Sequence, residues 1–147
     1  EEFERLYRAY QTEISLSEGV EEFLDYCKAH NIFIAILTNG RPKSQYAKVI
    51  ALDLHRWFDD DHIFISGGIG YQKPDPMAFQ YIEKMFSLNP EETWYIGDTY
   101  EADVVGADGA GWHTVWFNHR NRERLENCAD VTVRSIEELS RFIKERS

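Results

Sequence analysis

The chain has 147 residues, 43% hydrophobic and 14% aromatic, with a formal net charge of −10. A single domain with that apolar content can bury a core, which excludes wholesale disorder. The acidic balance argues against a protein that neutralises nucleic-acid phosphates or docks on an anionic membrane. Two cysteines, Cys27 and Cys128, without a CxxC pattern, offer neither a disulfide scaffold nor a thiolate zinc cluster. The longest apolar run covers residues 32–37, far short of a membrane span. The expectation is a reduced, cytoplasmic α/β or α+β protein without a signal peptide.

In chain order, Phe3, Leu6, Tyr7 and Tyr10 repeat at helical spacing and predict a helix over 2–13, followed by a link over 14–17. Val20, Phe23, Leu24 and Cys27 predict a second helix over 18–30. The run IFIAIL, 32–37, is short, rich in β-branched residues and followed by Asn39-Gly40, so it reads as a strand buried on both faces. Pro42 opens a helix over about 43–53. Residues 62–66 form a second short strand, and the Gly- and Pro-rich stretch 66–76 is expected to be irregular. A helix to about Ser87, a turn at 89–92, a strand over 93–96, a loop at 97–100 and a small-residue helix over 102–111 follow. Residues 113–117 and 131–133 are the last strands, and Ser135-x-x-Glu138 is a capping box opening the final helix. Strand and helix alternate from residue 32 onward, which gives a Rossmann-like open parallel sheet with helices on both faces.

In such a sheet, ligands bind beyond the carboxyl ends of the strands. Thr38-Asn39-Gly40 follows the first strand, Lys73 lies in the loop after the second, and Gly97-Asp98-Thr99 follows the third. A threonine hydroxyl and the amides of an Asn-Gly turn can hold phosphate oxygens. A lysine can neutralise charge on a phosphoryl group, and Asp98 with Asp103 offers hard oxygens to Mg²⁺. Each feature alone has a plainer reading: a turn, a solvated lysine, a helix cap, a surface carboxylate. Their order along one sheet edge carries the functional reading. The tryptophans at 57, 94, 112 and 116 read as core or edge packing, His113 as structural and Arg41 as a solvated cation.

The segments AILTNG, GYQKPDPMAF and WYIGDTYEADVVGADGAGW closely resemble the second, third and fourth motifs of the haloacid dehalogenase superfamily. The likeness runs from about Ser17 to Ile143, and the wording around LTNG and VWFNHR looks most like the phosphatase and nucleotidase branch. The resemblance implies a Mg²⁺-dependent phosphoryl hydrolase acting on a small phosphorylated metabolite or nucleotide. Thr38 and the Asn39 amide would bind the phosphoryl group and Lys73 would bridge it to the nucleophile. Asp98 would ligate Mg²⁺, with Asp103 as second ligand or holder of its waters. Residues 1–14 would be a remnant of a helical cap and 15–147 the core.

The family's first motif, DxDxT on the central strand, has no counterpart. No D-x-D precedes Thr38, and Asp59-Asp60-Asp61 stands before a strand instead of after one. The expectation is therefore a core lacking its central strand, seen as a truncated chain without turnover, or else a non-catalytic phosphate-binding or interaction module. The two strands flanking the gap would present unpaired edges, which invites self-association. A phospho-accepting receiver domain fits poorly because Asp98 comes last, and a dinucleotide-binding domain fits poorly because no GxGxxG occurs.

Overall fold

The computed structural model describes residues 18–146, so the helix expected at 2–13 and the cap remnant at 1–14 lie outside the described residues. Helix α1 (Glu18–Ala29) leads into β1 (Ile36–Thr38), and α2 (Pro42–Ala51) connects to β2 (Ile63–Ile65). A short helix, α3 (Ser66–Ile69), precedes α4 (Pro76–Phe86) and β3 (Trp94–Gly97). A π-helical stretch, Tyr100–Val105, runs into α5 (Gly106–Gly109), then β4 (His113–Phe117), β5 (Val131–Val133) and α6 (Ile136–Arg146).

All strand pairs are parallel, but they fall into two sheets. β1 pairs with β2, and β3, β4 and β5 form the second sheet in that order. Alternate residues of the strands feed two cores. Ile36, Val115, Phe117 and Val133 pack under α1 and α6 against Val20, Phe23, Leu24 and Leu139. Leu37 and Phe64 pack on the other face against Ala78, Phe79 and Ile82 of α4 and Ala107 of α5. Helices thus cover both faces, as the alternation predicts. Among the described residues no helix is long and apolar enough to cross a membrane.

Between β1 and β3 lies an apolar slot of about 530 Å³, lined by Ile34 and Leu37 on one side, Tyr95 and Ile96 on the other, with Cys27 and Trp112 also in its lining. Burial pushes the Cys27 thiol up from 9.0 to about 11, so it is a neutral apolar group at physiological pH. The slot explains two departures from the sequence reading. The first strand is predicted over 32–37 but forms only at 36–38, since residues 32–35 have no ladder partner among the described residues. Tyr95 and Ile96 are only half-buried, whereas Thr114 and Val115, their partners in β4, are buried.

Two further expectations change. The stretch 66–76 is not irregular throughout, because Ser66–Ile69 closes a helical turn capped by Gly70 at a positive φ of 91°. The helix expected at 102–111 starts earlier and its first part is π-helical. The Asp59–Asp61 string sits at the amino end of β2, the opposite end of the strand from the loop that carries Lys73.

Candidate functional site

Thr38 ends β1 with its side chain buried, and its hydroxyl accepts a 2.7 Å hydrogen bond from Gln45 Nε2 on α2. That bond fixes the oxygen and turns the hydroxyl proton away from the helix. Asn39, the next residue, ties the loop after β1 to the Lys73 loop. Its Nδ2 donates to the Lys73 carbonyl at 3.1 Å, and its Oδ1 accepts from the Lys73 amide at 3.0 Å. The Gly40 amide donates to Ser66 Oγ at 2.9 Å, so this part of the turn is anchored to α3.

Lys73 and Asp103 are wholly enclosed, with both side chains at 0% exposure and Nζ to Oδ1 at 2.8 Å. The second Asp103 oxygen accepts from the Thr99 amide at 2.9 Å, so one carboxylate both pairs the lysine and shapes the loop after β3. The π-helical winding at 100–105 carries Asp103 back under that loop. Gly97 makes this possible, since a Cβ there would overlap the Asp103 side chain. Lys73 Nζ also donates to Tyr95 Oη at 3.1 Å, and Tyr95 Oη donates to the Leu37 carbonyl at 3.0 Å. A continuous path of hydrogen bonds thus joins the carboxyl end of β1, the Lys73 loop and the start of the π-helix.

Asp98 completes the group. Its side chain is at 0% exposure, and its Oδ2 accepts from His119 Nε2 and from an Arg120 guanidinium nitrogen, each at 3.1 Å. Its Oδ1 accepts from Thr99 Oγ1 at 3.2 Å, and its carbonyl accepts from Trp116 Nε1 and Arg120, each at 3.3 Å. The five residues singled out in the sequence, Thr38, Asn39, Lys73, Asp98 and Asp103, therefore come to one sheet end from three loops. Gln45, Tyr95, His119 and Arg120 belong to the same network and were not singled out. Their signal, a polar side chain on an apolar helix or strand or just past a strand end, is too common to separate from surface chemistry. Asp103 read in isolation as a surface carboxylate; it is enclosed.

The sequence fits the family model described as haloacid dehalogenase-like hydrolase over residues 2–111. The chain belongs to the haloacid dehalogenase-like hydrolases. Among its relatives, the glyceraldehyde 3-phosphate phosphatase of Pyrococcus furiosus is 31% identical over 82% of this chain and 51% of its own length. The phosphoserine phosphatase of Thermus thermophilus is 35% identical over 81% of this chain and 47% of its own length. The magnesium-bound crystal structure of YfnB from Bacillus subtilis superposes with a TM-score of 0.76 at 30% identity, over 87% of this chain and 56% of that one. The chain spans about half the length of the curated relatives it matches.

For a haloacid dehalogenase-like hydrolase, the donor set at this end suits a hard divalent cation. Asp98 is an enclosed carboxylate that pairs with the Arg120 guanidinium and accepts a further hydrogen bond from His119. Asp103 is less available, with one oxygen on Lys73 and the other on the Thr99 amide, so its contact with a hydrated ion would run through water.

Proposed function

We propose that this chain is the phosphate- and metal-binding part of a magnesium-dependent phosphoryl hydrolase acting on a small phosphorylated metabolite or nucleotide, and that it has no turnover alone. The observation that carries the reading is the enclosed Lys73–Asp103 pair, locked to the Thr38–Asn39 turn and joined to Asp98 through Thr99. Phosphoryl transfer needs chiefly positioning and neutralisation of charge. Thr38, oriented by Gln45, donates to one phosphoryl oxygen and the Asn39 amide donates to another. Lys73, fixed by Asp103 and Tyr95, balances the charge of the transferring group. Asp98 would hold Mg²⁺, which supplies charge neutralisation on the phosphoryl oxygens, and Asp103 would order the ion's water. Two relatives named as phosphatases of small phosphate esters support the substrate class.

What these residues do not supply is a nucleophile. No D-x-D precedes Thr38, Asp103 is held by Lys73 and Asp98 is assigned to the metal, so no described carboxylate at that end of the sheet is left to form an aspartyl-phosphate. The slot between β1 and β3 is where a strand bearing one would enter, with residues 1–14 read as a remnant of a cap. The unpaired edges of that slot favour self-association of the chain when made alone.

The test is hydrolysis of p-nitrophenyl phosphate with Mg²⁺ by the 147-residue chain, with Asp98→Ala as the control for contaminating enzyme. No turnover above that control is expected. Robust hydrolysis that Asp98→Ala abolishes would refute the inactivity. Binding of inorganic phosphate without turnover, even when upstream sequence carrying a D-x-D strand is present, would favour the non-catalytic module.

A further inference from the structure

Asp98 differs from its neighbour Asp103 in the company it keeps. The partner of Asp103 is Lys73, which is as enclosed as the carboxylate itself. The partners of Asp98, His119 and Arg120, come from the loop after β4, and both have side chains 32% exposed. An enclosed pair is fixed by packing from all sides. A pair with one half in solvent can open by rotating the exposed half outward, with the core unchanged. Both partners converge on a single oxygen, Oδ2, and Arg120 also reaches the Asp98 carbonyl at 3.3 Å.

We propose that Arg120 and His119 form a displaceable clamp on Asp98 that sets how tightly this site takes a divalent cation. The proposal rests on the reading of Asp98 as a magnesium ligand. A Mg²⁺–carboxylate bond is about 2.1 Å long, and a guanidinium donating to the same oxygen would bring a second positive centre against the ion. Cation and clamp are therefore alternatives for Oδ2. The clamp keeps the enclosed carboxylate neutralised, and binding of a cation displaces the Arg120 guanidinium from Oδ2. A guanidinium displaced from Oδ2 suits a phosphoryl oxygen pair, which couples entry of the metal to retention of a phosphate-bearing ligand.

The experiment is calorimetric titration of Mg²⁺ into the 147-residue chain, its Arg120→Gln and His119→Gln variants, and Asp98→Asn. Loss of a charged hydrogen bond that competes with the ion should tighten Mg²⁺ binding by about tenfold in Arg120→Gln, with a smaller gain in His119→Gln. Thermal unfolding supplies a second readout. Without Mg²⁺ the Arg120→Gln variant should melt below wild type, and Mg²⁺ should raise its midpoint by more than it raises that of wild type. Affinity that is unchanged, weaker or unmeasurable in Arg120→Gln overturns the clamp. Binding that persists unaltered in Asp98→Asn overturns the assignment of Asp98 as the ligand, and the clamp with it.

Discussion

Lys73 and Asp103 face each other at 2.8 Å with no solvent on either side chain. Removing one member of such a pair leaves the other as an uncompensated buried charge, at about 3–5 kcal/mol. Lys73→Met should therefore destabilise the chain by about that amount, and Lys73→Met with Asp103→Asn should recover part of it, because the residual charge is gone. Urea unfolding of the four members of the cycle measures the coupling, and strictly additive losses would mean that the pair is not acting as a unit. At this scale the sequence was partly legible. Thr38 and Asn39 stand at the carboxyl end of β1, and Lys73, Asp98 and Asp103 come in the segments after β2 and β3, so a topological rule located them. Tyr95 and Gln45 could not be read in the same way. Tyr95 bonds to a carbonyl 58 positions away, and nothing local in WYIG distinguishes its hydroxyl from any other on a strand.

Element boundaries follow the same division between local and remote causes. The final helix begins where the capping box places it: the Glu138 amide donates to Ser135 Oγ at 3.1 Å, and Glu138 Oε1 accepts from the Arg134 amide at 2.9 Å. Both bonds span four residues or fewer, so the pattern is visible in sequence. Ser135→Ala should cost about 1 kcal/mol, and Ser135→Asp should cost almost nothing. Chemical denaturation checks it, and equal losses for the two variants would place the effect in packing against α1 instead of in the cap. The first strand has no such local cause. Its apolar run extends over 32–37, but a ladder needs a neighbour, and among the described residues only Ile36–Thr38 has one, in β2. The π-helical winding at 100–105 was equally hidden, because it answers to the carboxylate of Asp103 and the space above Gly97.

Across the whole molecule, two parallel sheets share their covering helices but not a ladder, and Tyr95 Oη on the Leu37 carbonyl bridges the seam between them. In a parallel strand, successive residues turn their amides to opposite sides. The Thr93 carbonyl already accepts from the His113 amide, so Thr93, Tyr95 and Gly97 face β4, and Trp94 and Ile96 face the slot. On the other bank, Leu37 faces the slot and Ile36 and Thr38 face β2. Hydrogen exchange should therefore alternate along each strand: amides of Leu37, Trp94 and Ile96 exchange early, while those of Tyr95 and Gly97 wait for wider opening. Residue-resolved deuterium uptake reads this directly, and even protection along β3 would mean that its free side is covered. Deuterium would then trace the seam as a dotted line through the middle of the protein, one residue in two. A strand that settles into the slot should erase that line without disturbing the residues in between.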